Sequence, residues 1–211
     1  MDPSNKRLMA IYAHPDDAEI WSGGTISKWN HLGGISNIVC FSTSPIRNKE
    51  ARDGAKVLSA EITVINKHPA INTEVIKKVT FVLNKYQPDV VITHCINDSH
   101  PEHRNIFEVV SNALIPLKIA KGKPNLLLCS DTYNEVCLNG IFCPNIYIDV
   151  SDHMQTKLLA IEKHTSQSTN IWKKIAIDQG NLLGNRLSNV KYAEGFIQIP
   201  ILGKLANLSL F

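Results

Sequence analysis

LMAIYAHPDDAEIWSGGTISKWNHLGG, residues 8–34, is the stretch whose reading decides the fold. Leu8 to His14 is an apolar run that predicts a buried strand, and from Asp17 to His31 the apolar spacing turns helical before stopping at Gly33-Gly34. Strand, polar turn and helix in that order open an α/β domain. The pattern recurs through ISNIVCFS (35–42), a charged helical stretch from Arg47 to Ala60, ITVI (62–65), a helix from Asn72 to Tyr86, a turn at Gln87-Pro88 and DVVITH (89–94). These strands are almost continuous in Val and Ile, as parallel strands covered on both faces must be. The expected architecture is a doubly wound, mostly parallel sheet with helices on both faces, holding its ligand at the C-terminal ends of the strands.

Beyond His94 the chain reads as a polar loop, CINDSHPEHR (95–104), then a helix from Glu102 to Leu117, a strand NLLLCS (125–130) and a less regular region to Pro144. IYIDV (146–150) reads as a strand, with Ser151 or Asp152 as N-cap of a helix reaching His164. A polar helix from Thr169 to Ile177 and a closing strand, YAEGFIQIPI (192–201), complete the pattern. With no repeat, low-complexity tract or linker, a single domain over 1–211 is expected.

Composition narrows the function. Hydrophobic residues are 44% and charged residues 19%, with 11 Gly and 10 Pro, which excludes long disorder, collagen-like repeats and coiled coil. The 22 Lys and Arg against 19 Asp and Glu are scattered, so there is no nucleic-acid or anionic-membrane footprint, and the net +3 leans towards an anionic substrate. The apolar stretch Leu8–Ala13 is too short for a signal peptide, and no apolar run approaches the roughly eighteen residues of a membrane span. A cytoplasmic protein is expected. Its five cysteines are widely spaced without a CxxC, which points to buried thiols rather than a disulfide framework or a cysteine zinc site.

Two clusters can carry chemistry. In AHPDDAE (13–19), His14 with Asp17 three positions later suits a cation such as Zn²⁺, and the adjacent Asp16 would stay free to act on activated water. The competing reading is that both aspartates merely favour the N-terminus of the following helix. In HCINDSHPEHR (94–104), three of the eight histidines gather with Asp98 and Glu102, and His100 and His103 can face one space if a helix starts near Glu102. His94 reads as a packed core residue and Asp98 as a turn cap. Both clusters follow strands of the same sheet, so one crevice can receive His14, Asp17 and His103. Three ligands with an open fourth position is the stoichiometry of a catalytic zinc.

AHPDDAE followed by GGT (23–25), and later HPEHR (100–104), closely resemble the two signature motifs of the LmbE-like or PIG-L family of zinc-dependent N-deacetylases. PDVVITH before the second motif, KLLAIEKHTSQ (157–167) and AEGF (193–196) resemble its later landmarks. The resemblance implies an LmbE-like, Rossmann-like α/β fold. It implies one Zn²⁺ per chain on His14, Asp17 and His103, with Fe²⁺ or Co²⁺ able to take the same ligands. It also implies Asp16 as general base, and a protonated His100 that stabilises the oxyanion and helps deliver the proton. The family's RxxE pattern maps onto Arg47 with Glu50 as a substrate-binding element, with Arg52 nearby. Two positions depart: Glu102 stands where the motif usually has Asp, and INKHPAINT (65–73) lacks an acidic residue often found after the third strand.

The activity implied is removal of an acetyl group from an N-acetylated amino sugar or glycoconjugate by metal-activated water, in a protein able to form a homo-oligomer. The alternatives are an amidase on a non-sugar N-acyl metabolite, a silent Rossmann-like binding protein, and a phosphoesterase, which would want a second metal. His164 and Gln167 read more readily as helix-end residues than as site residues. Trp21 and Trp29 read as packing and Trp172 as a candidate sugar-stacking residue, while Gly23-Gly24 lacks the spacing of a phosphate loop.

Overall fold

The computed structural model describes residues 2–207, so Met1 and residues 208–211 of the expected 1–211 domain lie outside them. Strand β1 (Arg7–Ile11) leads into helix α1 (Asp17–His31), and β2 (Ile35–Phe41), α2 (Pro45–Val57), β3 (Glu61–Ile65), α3 (Thr73–Tyr86), β4 (Val90–Thr93), α4 (Pro101–Lys121) and β5 (Leu126–Ser130) continue the alternation. A small hairpin, β6 (Val136–Cys137) and β7 (Gly140–Ile141), precedes β8 (Ile146–Asp149), α5 (Met154–Ile161), α6 (Thr169–Gly184) and β9 (Ala193–Ile199). Seven strands form one sheet in the order β3-β2-β1-β4-β5-β9-β8. The pairs from β3 to β5 are parallel, and β9 and β8 are antiparallel. The expected mostly parallel α/β sheet is what forms.

Alternate strand residues feed two apolar clusters, one on each face. Leu8, Ala10, Ile92 and Leu128 meet Trp21, Ile26, Leu58 and Ala160 from α1, α2 and α5, while Met9, Ile11, Val91 and Leu127 meet Val79, Leu83, Val110 and Leu114 from α3 and α4. The chain runs outward from β1 to β3 and then returns to place β4 on the other side of β1. The crevice of such a sheet lies where the strand order reverses, here above β1 and β4, which are the strands that end in the two chemical clusters.

Three expectations at the element level change. The helix after β8 is not capped by Ser151 or Asp152: a 3₁₀ turn, Ser151–His153, comes first, with the Ser151 hydroxyl donating to the Asp149 carboxylate at 2.7 Å, and α5 begins at Met154. Helix α6 runs past Ile177 to Gly184, where a Cβ would lie 2.6 Å from the Lys191 carbonyl oxygen, so glycine there serves a close approach to the returning chain rather than a stop. The hairpin β6–β7 replaces part of the stretch read as irregular. Among the described residues no helix is long and apolar enough to cross a membrane, and Cys40, Cys95, Cys129 and Cys137 are buried free thiols with Cys143 exposed.

A buried ion pair joins the antiparallel end of the sheet to α1. Glu194 of β9 accepts the backbone amides of Gly24 and Thr25 at 2.9 and 2.7 Å, and Lys157 of α5 donates to the same carboxylate at 2.6 Å. At Gly24 a Cβ would stand 2.7 Å from the Val150 side chain, so only glycine lets α1 come this close. The three landmarks GGT, KLLAIEKHTSQ and AEGF thus meet at one carboxylate. Removing one partner of a buried pair leaves an uncompensated charge, so Lys157→Met is expected to lower unfolding free energy by about 3–5 kcal/mol and Lys157→Met with Glu194→Gln to recover part of it. Urea denaturation measures both, and a single-variant loss under about 1 kcal/mol would show a solvated pair.

Candidate metal and catalytic site

The turn after β1 presents His14, Asp16 and Asp17 at the start of α1, and the loop after β4 presents His94, Asp98, His100 and, one helical turn on, His103. Asp17 lies at the centre, 3% exposed. His14 Nδ1 is 3.2 Å from Asp17 Oδ2 and 3.3 Å from His103 Nε2, and His103 Nε2 is 3.5 Å from Asp17 Oδ1. A tetrahedral ion with bonds of about 2.1 Å needs ligand atoms about 3.4 Å apart, and the separations of the two ring nitrogens from each other and from the two Asp17 oxygens are of that size.

The outward nitrogens are also occupied, which fixes the rings. His103 Nδ1 is 2.9 Å from the buried Asp98 carboxylate, and His14 Nε2 is 2.6 Å from Glu102 Oε2. In a metal-loaded site each imidazole would donate to its carboxylate on one side and offer a lone pair to the ion on the other; without the ion, burial is outweighed by Asp17 and Glu102, which raise His14 to about 9. Two other donor groups lie close enough to hold an ion: His94 with Asp98 and His103, and His14 with His100 and Glu102. The first is spent internally, because His94 Nε2 accepts the Ala13 amide at 2.9 Å and the ring stacks on His103 with centroids 3.7 Å apart. Burial lowers His94 to about 4, a neutral packed ring, as its position at the strand end suggested.

Electrostatics separate the two aspartates. Burial works to raise Asp17, but the imidazoles of His103, His94 and His14 outweigh it and hold this carboxylate well below the ordinary range. Burial and the charge of Asp17 push Asp16 upward, against the pull of Arg47 and His164. Two adjacent carboxyls with values driven apart are the arrangement expected of a ligand beside a base. Arg47 Nη2 donates to Asp16 Oδ1 at 2.6 Å, so the guanidinium read as a substrate contact is bound to Asp16. Arg52 is exposed and turned to the Asn48 carbonyl of its own helix. Glu50 of the RxxE pattern accepts the Ser166 amide and the Thr165 and Ser166 hydroxyls, pinning the loop after α5 onto α2.

His100 is the N-cap of α4, its Nδ1 accepting the Glu102 amide at 3.2 Å. Burial, His103 and His14 lower its pKa, and with Nδ1 accepting the Glu102 amide it is Nε2 that can donate. A helix N-terminus disfavours imidazolium for the same reason. Asp98, read as a turn cap, does cap the His100 amide at 2.7 Å and orients His103 as well, a role its spacing of five from His103 did not reveal. Tyr133 was missed: its ring faces His103 at 5.8 Å and touches Trp21 and Trp172 at 5.2 and 5.9 Å, in the stretch read as irregular. Trp21 and Trp29 are core residues, and His164 is buried with its Nε2 3.4 Å from Glu19.

At the end of β5, Asp131 lines a cavity of about 20 Å³ with Lys157, Gln179 and Glu194, space for one water. Burial pushes its carboxyl up to about 7, against the Thr132 amide. The native state therefore keeps this proton to higher pH than the unfolded chain does, and stability falls as pH rises from about 4 to about 7. Asp131→Asn should leave stability at pH 4 unchanged and raise it at pH 8 by on the order of 2–4 kcal/mol. Equal gains at both pH values in thermal unfolding would contradict a raised native pKa.

A family model described as PIG-L, GlcNAc-PI de-N-acetylase, matches residues 9–114, about half of the chain and the part that carries both clusters. A diacetylchitobiose deacetylase from Thermococcus kodakarensis is 26% identical over 92% of this chain and 84% of its own length. The structure of N,N'-diacetylchitobiose deacetylase from Pyrococcus horikoshii superposes with a TM-score of 0.75 at 26% identity, covering 93% of this chain and 85% of that one. A 4-carboxy-2-hydroxymuconate hydratase from Pseudomonas putida KT2440 superposes with a TM-score of 0.80 at 19% identity, over 97% of this chain and all of the other, a likeness of fold.

Proposed function

The chain belongs to the PIG-L family, and from that premise we propose that it is a metal-dependent deacetylase that hydrolyses the acetamide of an N-acetylated amino sugar or glycoconjugate, releasing acetate and the free amine. The observation that carries this reading is the grouping of His14, Asp17 and His103, with the carboxylate of Asp16, held by Arg47, in the adjacent position. The relatives named as diacetylchitobiose deacetylases support the substrate class.

The amide resists hydrolysis because water is a weak nucleophile and an amine a poor leaving group. His14, Asp17 and His103 would hold one divalent ion, Zn²⁺ in our reading, with Fe²⁺ or Co²⁺ acceptable to the same donors. When bound, the ion supplies the Lewis acidity that brings the pKa of water down to about 7. Asp16, raised above the ordinary carboxylate range by burial and Asp17, takes the proton of the attacking water, while Arg47 holds its Oδ1. His100 Nε2–H donates to the oxygen of the acetyl group as negative charge builds on it; an oriented donor of this kind contributes about 3 kcal/mol in comparable acyl-transfer sites. Asp16 then returns its proton to the departing nitrogen, which leaves as the amine.

Amine release from N-acetylglucosamine, its glycosides and a panel of acyl amines, with elemental analysis of the same preparation, tests the reading. One zinc per chain and free amine from the sugars is the expected result; amine from the acyl amines alone would move the substrate outside the sugars. Asp16→Asn is expected to retain metal and lose about 10²–10⁴-fold in kcat. Full turnover in a metal-loaded variant would remove Asp16 as the base.

A further inference from the structure

The Glu102 carboxylate has two oxygens and a histidine on each. Oε2 is 2.6 Å from His14 Nε2, and Oε1 is 2.8 Å from His68 Nε2. His68 stands in the loop after β3, the stretch INKHPAINT that lacks the family's acidic residue, and Glu102 is the residue that departs from the second motif. The two departures from the family pattern therefore touch each other. A second contact one turn along α4 holds the same loop, the Asn105 side chain donating to the Pro69 carbonyl at 3.2 Å. Glu102 and Asn105 lie three apart on one helical face, so the segment after β3 is strapped across the start of α4 with the His68 ring over Glu102.

We infer that His68 is a positioning residue of the metal centre: by engaging Oε1 it holds Glu102 so that Oε2 receives the His14 Nε2–H and the His14 Nδ1 lone pair faces Asp17 and His103. A Glu side chain has one more rotatable bond than the Asp of the motif, and a Glu bound at one oxygen only would swing away from His14. The imidazole on its other oxygen removes that freedom. The line His68–Glu102–His14 is thus a chain-specific replacement for a shorter acidic support. The inference rests on the proposed function only in taking His14 as a ligand.

Its test is metal retention. Wild type, His68→Ala, His68→Gln and Glu102→Gln are loaded with Zn²⁺ and titrated with a chelator, and their metal-free forms are melted in parallel. Loss of a carboxylate partner to a ligating histidine costs 10–100-fold in affinity, so Glu102→Gln is expected in that range and His68→Ala at about three- to tenfold, with unchanged melting of the metal-free protein. His68→Gln, whose amide N–H can donate to Oε1, should restore most of the affinity, and His68→Ala should add nothing in a Glu102→Gln background. Equal affinity of wild type and His68→Ala, or additive losses in the double variant, would overturn the role of His68 while leaving the site intact. A wild type that takes up no Zn²⁺ would overturn both this role and the metal reading itself.

Discussion

The carboxylate of Asp17 is buried to 3% exposure at the foot of the crevice, and an isolated charge there would be prohibitively costly. Three imidazoles, the His14 amide at 2.8 Å and the Trp21 indole at 3.4 Å surround it. Those groups come from the turn after β1, from α1, from the end of β4 and from α4. Satisfying this one charge therefore fixes how two strands and two helices meet. The strand-order reversal between β1 and β4 makes that meeting possible, because only there do the C-terminal ends of adjacent strands open onto a shared crevice.

Around the centre, each histidine has one nitrogen with a definite partner, while the buried Nδ1 of His94 has none among the described residues. Asp98 takes His103, Glu102 takes His14, the Ala13 amide takes His94 and the Glu102 amide takes His100. Such pairing settles tautomers, and tautomers decide which nitrogen is a lone pair and which a donor. The same logic sorts the carboxyls. Asp17, facing imidazoles, is held low, while burial and Asp17 raise Asp16 against the pull of Arg47.

Much of this was legible in the residues. The strand and helix periods from Leu8 to Thr93 mapped to elements within a few positions, because buried parallel strands write their burial directly as runs of Val and Ile. His14, Asp17 and His103 came together as their strand-end positions required. In the last third β8 and β9 also formed where they were read, and the differences lie around them: the 3₁₀ turn ahead of α5, the longer α6 and the hairpin β6–β7, none of which a strand or helix period marks. Arg47 shows another limit. Sequence spacing marks an arginine near the crevice, but its choice between substrate and Asp16 depends on a 2.6 Å contact between α2 and the turn after β1. Asp98 and Glu102 were singled out in the second cluster, but their contacts with His103, His14 and His68 were not, and Tyr133 was missed because it lies in a loop without periodicity.

The hydratase that shares this fold marks where the fold stops being informative. A seven-stranded sheet with a crevice above β1 and β4 offers a place for chemistry and leaves its kind undecided. What narrows the kind here is local: donors at zinc-sized separations, a second carboxylate bound by an arginine, and an imidazole at a helix N-terminus packed beside His14 and His103. Metal-assisted hydrolysis uses all three, a base for water, a donor for the oxyanion and a ligand set with an open side. A hydration of a carbon–carbon double bond would also need a base, but it has less use for a donor placed where an acyl oxygen gathers charge. The side chains gathered at the crevice, rather than the sheet beneath them, therefore carry the argument for the kind of chemistry.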